Sequence, residues 1–259
     1  MESALDHQTA RALLEWQFEL GVTDAIGEAA VDRYELPDAA PWLQKKRPPA
    51  RIAESLPLAE RNEDPVRVAE AAARGAETLE GLRAALGAFE LCELKKGARN
   101  LVFCDGVARA RVMIIGEAPG RDEDREGRPF VGRAGQLLDR MLAAVNLSRE
   151  ASVYITNVLP WRPPQNRDPK PEEIAMMRPF LQRHVELAAP ELIVLMGNIS
   201  CQAVLGKRGI TRLRGTWAEA YGRPVLPMWH PAYLLREPIA KRETWADLLS
   251  LQARLREPS

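Results

Sequence analysis

Apolar and polar positions follow a repeating order along most of this chain. Short apolar runs at 111–115, 152–156, 191–196 and 223–229 have the length of buried strands. Between and after them, apolar residues recur at helical spacing at about 134–146, 171–188, 198–206 and 240–256. Strands that alternate with helices imply βαβ units joined by right-handed crossovers, so the pattern predicts an α/β fold: a three-layer αβα sandwich around a four-stranded parallel sheet. Upstream, Ala69, Ala72, Ala73, Ala76, Leu79, Leu82 and Leu86 mark one face of a helix from residue 66 to about 91. Leu13, Trp16 and Leu20 mark another over 7–20, with Gly21 as its stop. Six prolines between Pro37 and Pro65, set among charges, read instead as an extended linker. The expected division is a proline-rich N-terminal extension, residues 1–64, and a compact domain, residues 65–259.

Open parallel sheets bind ligands at the carboxyl ends of their strands, which makes the residues just after each run the ones to examine. These are Gly116-Glu117-Ala118-Pro119-Gly120, then Asn157, then Gly197-Asn198, then His230-Pro231-Ala232-Tyr233. A Gly/Pro turn, an amide and an imidazole are thereby expected on one edge.

Composition narrows the setting. Of 259 residues, 36 are Lys or Arg and 36 Asp or Glu, and 46% are apolar. The longest apolar run, 192–197, is too short to cross a bilayer, and the N-terminus lacks the basic and apolar regions of a secretion signal. Neither membrane insertion nor secretion is expected, and the reading is cytoplasmic. Cys92, Cys104 and Cys201 form no CxxC or CxH pair and no complete disulfide framework. The zero net charge conceals a split: residues 1–64 carry 7 basic and 13 acidic side chains (7 − 13 = −6), leaving 29 − 23 = +6 on 65–259. A basic domain favours a polyanionic partner.

Each candidate residue has a plainer reading beside its chemical one. The Gly116–Gly120 turn exposes backbone N–H groups to a ligand, or is an ordinary loop; it matches neither a dinucleotide fingerprint nor a P-loop. Glu117, Asp122, Glu123 and Asp124 crowd one segment, either as a solvated acidic surface or as carboxylates that shift each other toward acid/base work. Asn157 offers one acceptor and two donors, which suits a pyrimidine edge or a local backbone. Phe130 is a core residue, or a stacking platform if it faces the site. His230 either stabilises developing negative charge or caps a turn. Arg162, Arg167, Lys207, Arg208, Arg212, Arg214, Arg236, Lys241 and Arg242 flank the same loops.

Taken in order, the segments at 116–124, 127–132, 154–157, 162–167 and 230–236 resemble those of family 4 uracil-DNA glycosylases, over residues 79–255. The resemblance implies an enzyme of base excision repair that extrudes deoxyuridine from single- or double-stranded DNA and hydrolyses its N-glycosidic bond. It implies that Glu117 and the Ala118 backbone line the pocket, that Glu123 sits near the sugar and the water, and that Phe130 stacks on uracil. Asn157 would read the N3/O4 edge and His230 would bond O2 as charge builds there. Tyr233, Leu234 and Leu235 would wedge into the gap left by the flipped base, with Arg162, Arg167, Arg214 and Arg236 on the DNA. The water activator is open between Glu117, Glu123 and electrostatic assistance alone, because better known members of the superfamily carry Asp where this chain has Ala118.

The same resemblance implies a 4Fe–4S cluster on four cysteines, but at those positions this chain carries Phe89, Cys92, Trp161 and Met177. The expectation is therefore an enzyme with no cofactor, acting as a monomer. Gly120 runs directly into Arg121–Glu126 without the basic insertion ending in His by which a related subgroup traps the abasic sugar, so turnover is expected. Two other readings stand: a catalytically weak DNA-binding module that recognises uracil or abasic sites, and an α/β enzyme acting on free nucleotides.

Overall fold

The computed structural model describes residues 64–257. The helix read over 7–20 and nearly all of the proline-rich linker lie outside the described residues. The single helix read over 66–91 is two: α1 (Pro65–Arg74) and α2 (Leu79–Ala88). Gly75 ends the first, and Thr78 begins the second by accepting the Gly81 N–H on its hydroxyl at 3.0 Å. A side-chain cap inserted into a continuous apolar stripe restarts the helix without interrupting its periodicity.

A one-turn helix α3 (Leu94–Gly97) leads to the sheet, whose strands are β1 (Asp105–Gly106) and β2 (Val112–Gly116). Helices α4 (Arg121–Glu126) and α5 (Arg133–Ala143) follow, then β3 (Val153–Asn157), α6 (Pro171–Ala188) and β4 (Leu192–Met196). The chain continues through α7 (Asn198–Leu205), α8 (Ile210–Leu213), β5 (Ala218–Ala220), β6 (Arg223–Met228), α9 (Pro231–Arg236) and α10 (Lys241–Arg256). The sheet has six strands in the order β1-β3-β2-β4-β6-β5, where four were expected. The four expected strands form its parallel centre, and β1 and β5 are added antiparallel at the edges. The added strands are two and three residues long, too short for an alternation to register, which is why the pattern does not reveal them.

Every residue of β2, β3 and β4 is buried, as a parallel sheet covered on both faces requires. Gly116 pairs with Asn157, and Met196 with Met228, so the strand ends are in register along one edge. From β2 the chain crosses to β3 on one side, then returns past β2 to β4 on the other. The end of β2 is the topological switch point, where a crevice opens in folds of this kind.

Candidate active site

A cavity of about 430 Å³ opens at that switch point. Its walls include Glu117, Ala118, Phe130, Asn157 and His230, so residues from four segments far apart in sequence converge there. Tyr233, Arg167 and Arg236 stand at the same cavity, as do Asn166 and Asp168.

Gly116, the last residue of β2, lets these walls approach. A Cβ there would fall 2.3 Å from Oδ1 of Asn157 and 2.6 Å from the Phe130 ring, distances that no side chain tolerates. Asn157 is 7% exposed, yet no group among the described residues hydrogen-bonds its amide; its donors and acceptor remain for a ligand. The Phe130 ring is buried and lies 5.5 Å from the His230 ring at 27°. Phe130 is thus both a core residue and a flat wall.

His230 is the N-cap of α9. Its Nδ1 accepts the Ala232 backbone N–H at 3.2 Å, so the ring proton sits on Nε2. Burial, helped by the Arg236 charge, lowers its pKa to about 4, and the ring is a neutral N–H donor across the physiological range.

Burial also raises the Glu117 carboxyl to about 7; Asp168 adds to the rise and Arg208 opposes it. A carboxyl poised near neutrality beside a pocket is suited to proton transfer. Of the other acidic residues, Glu123 lines the same cavity, and Asp122 and Asp124 do not. All three lie on α4 (Arg121–Glu126), and each is held by its own partners. Asp122 pairs with Arg125 at 3.2 Å, and Asp124 accepts the Arg99 and Asn100 N–H groups at 2.8 and 3.2 Å. Glu123 acts as a clip: Oε2 takes the Gly120 N–H at 3.1 Å, and Oε1 takes those of Val131 and Gly132 at 3.0 and 2.9 Å. The turn therefore spends the Gly120 N–H internally, and the Glu117 and Ala118 N–H groups are left without an acceptor among the described residues.

Four expected DNA contacts, Leu234, Leu235, Arg214 and Arg167, are engaged within the fold. Leu234 is 1% exposed, because α9 turns it into the core, and it cannot stand free as a wedge. Tyr233 stacks on Trp229 at 4.3 Å and Leu235 packs partly against the core, so of the trio Tyr233 alone lines the cavity. Arg214 is bound to the carboxylate of Asp247 and to the Glu243 carbonyl, with Asp247 2% exposed, and this places it in the fold rather than on DNA. Arg167 is at the cavity but grips Glu173 with two bonds, of 2.9 and 2.6 Å. Arg162 has one bond, to Asn166 at 2.7 Å, and Arg236 is exposed with no ion pair among the described residues. Asp168, missed in the sequence, directly follows the 162–167 segment; its position was the available signal.

The positions implied for a four-iron cluster do not fit one. Phe89, Cys92, Trp161 and Met177 are all buried, and they supply one thiol where such a cluster needs four thiolates. Burial pushes the Cys92 thiol up, against the thiolate.

Residues 103–249 match the family described as the uracil DNA glycosylase superfamily. The chain is 40% identical over 180 residues to a type-4 uracil-DNA glycosylase of Archaeoglobus fulgidus, an alignment covering 66% of this chain and 90% of the relative. It is 43% identical over 148 residues to a type-4 uracil-DNA glycosylase of Thermotoga maritima, covering 56% and 77%. A type-5 uracil-DNA glycosylase of Pyrobaculum aerophilum matches at 32% over 146 residues, covering 50% and 64%.

Proposed function

The chain belongs to the uracil DNA glycosylase superfamily, and we propose on that footing that it hydrolyses the N-glycosidic bond of deoxyuridine in DNA. The products are free uracil and an abasic site for base excision repair. The observation that carries the reading at this site is the meeting of the Phe130 ring, the unpartnered Asn157 amide and the Nε2–H of neutral His230 in one cavity.

A base inside a duplex is out of reach of such a cavity and must be turned out of the stack. That costs a few kcal/mol, least at a mismatch, so uracil opposite guanine is the better substrate than uracil opposite adenine. Phe130 stacks on the ring. Asn157 accepts from N3–H and donates to O4, a pattern that cytosine, with its reversed edge, does not meet. The C1′–N1 bond breaks with its electron pair going to uracil, and charge gathers at O2, where His230 donates. One preorganised donor of this kind is worth about 3 kcal/mol. The sugar becomes cationic in character as the C1′–N1 bond breaks; the water oxygen then bonds to C1′, the water's proton passes to Glu117, and the released uracil anion takes a proton from solvent. Glu123 supports this by holding the turn at Gly120 against Val131 and Gly132. Tyr233, Arg162 and Arg236 face the DNA around the opening.

The enzyme works as a monomer without a metal. The donor set at the cluster positions supports the second point. Three free cysteines suit a reducing cytoplasm, and no helix among the described residues is long and apolar enough to cross a membrane. Residues 1–64 form an extension outside the catalytic domain, 65–259.

The test is release of free uracil from a uracil-containing duplex with enzyme far below the DNA concentration. Many equivalents of uracil per enzyme are expected. Retention of the DNA without release would identify a recognition module instead.

A further inference from the structure

We propose that Arg149 is a positioning residue for the aromatic wall of the uracil pocket, acting through the backbone of Phe130. The inference rests on the reading of Phe130 as the stacking platform.

Phe130 holds a left-handed backbone, φ +54°, which a bulky residue adopts only where its surroundings impose it. Arg149 lies in the segment between α5 and β3, is absent from the cavity wall, and has a side chain 11% exposed. Its Nη2 donates to the Phe130 carbonyl at 2.7 Å and its Nη1 to the Pro129 carbonyl at 2.9 Å. The remaining donors go to two carboxylates: Nη1 to Asp105 at 2.7 Å, and Nε and Nη2 to Asp139 at 3.2 and 3.0 Å. All five N–H groups of the guanidinium are thus used, two of them on consecutive carbonyls at the residue whose ring forms the wall.

A second contact fixes the same carbonyl. It lies so close to the first turn of α5 that a Cβ on Gly135 would come within 1.7 Å of it. With Gly135 below and Arg149 across, the Phe130 carbonyl has one orientation, and the left-handed backbone then aims the ring at His230. Return to an ordinary negative φ would swing that carbonyl off Arg149 and turn the ring from the pocket. Lysine, with three donors around a point, cannot bridge both carbonyls and both carboxylates.

The experiment compares wild type with Arg149→Lys, Arg149→Met, Arg149→Gly and Asp139→Asn in the full-length protein. It measures kcat, KM for uracil-containing DNA and inhibition by free uracil. Loss of charge-assisted bonds to the platform predicts, for Arg149→Met, uracil inhibition weakened about tenfold or more and kcat lowered by a similar factor. KM for DNA should stay within about twofold, because the phosphate contacts are elsewhere. Arg149→Lys should resemble Arg149→Met, and Asp139→Asn, which loosens the guanidinium without removing it, should fall between. Added guanidinium ion should restore part of kcat in Arg149→Gly, which a change merely weakening the fold would not allow. Folded Arg149→Met with unaltered uracil inhibition and kcat would overturn the assignment. A rise in KM for DNA alone would move Arg149 to backbone binding and overturn it equally. A wild-type protein that neither releases nor is inhibited by uracil would overturn the functional reading itself, a result distinct from either.

Discussion

His230 divides its ring between structure and chemistry. Nδ1 caps α9, and this fixes the proton on Nε2, facing the cavity. Because its pKa lies at about 4, no change of its charge falls near neutrality. Glu117 is different: its carboxyl is protonated below about 7 and anionic above. If the anion takes the water's proton, kcat rises as pH goes up through about 7, and a pH–rate profile on a mismatched duplex should show that single limb. Glu117→Gln should abolish the limb and lower kcat about 100-fold at pH 8, the usual worth of a general base; an unchanged limb in this variant would assign it to another group. Gly116→Ala tests the close packing directly, since the added Cβ must displace Asn157 or Phe130. Misplacement of about 1 Å costs about 100-fold in kcat, which steady-state kinetics on the folded variant would register. Asn157, Phe130 and His230 were legible because strand ends and one motif marked them. The clip at Glu123 and the clamp at Arg149 were not, because their backbone partners lie up to 20 residues away and the clamp's carboxylate partner Asp105 lies 44 residues away.

At the scale of elements, α9 shows where a motif can mislead. Tyr233, Leu234 and Leu235 are adjacent in sequence, and an exposed loop would present all three to DNA. A helix of six residues distributes them, with Leu234 inward and Tyr233 against Trp229 at the cavity rim. Leu234→Ala should therefore act on the fold, lowering stability by about 2–5 kcal/mol in chemical denaturation. Tyr233→Ala and Arg236→Ala should lower activity on duplex DNA with the unfolding midpoint nearly unchanged. Arg214→Ala belongs with the first class, because it strands the buried Asp247 carboxylate, at a cost of about 3–5 kcal/mol. Equal stability of wild type and Arg214→Ala, with weaker DNA binding, would return this arginine to the interface. The four parallel strands and the long helices were readable from periodicity. The cap at Thr78, the edge strands and the short helices α4 and α9 were not, since each is shorter than the window over which a period shows.

For the whole molecule, topology and charge point the same way. The parallel order sets one crevice at the end of β2, and residues 65–259 are basic (29 − 23 = +6) although the whole chain is neutral. Phe89, Trp161 and Met177, where the family resemblance implies cysteines, fill their places with apolar volume. Purified protein should accordingly lack the broad absorbance near 400 nm, and chelators should leave its activity intact; bound iron at about four per chain would contradict this.

The most direct test of the central claim is strand scission at a single uracil in a labelled duplex after hot alkali, with wild type, Asn157→Ala and His230→Ala compared at equal concentration. Cleavage over many turnovers by wild type, reduced about 100-fold or more in both folded variants, is the predicted result. Equal cleavage by wild type and either variant would remove that residue from the pocket's chemistry, and with it the account of how uracil is held and released.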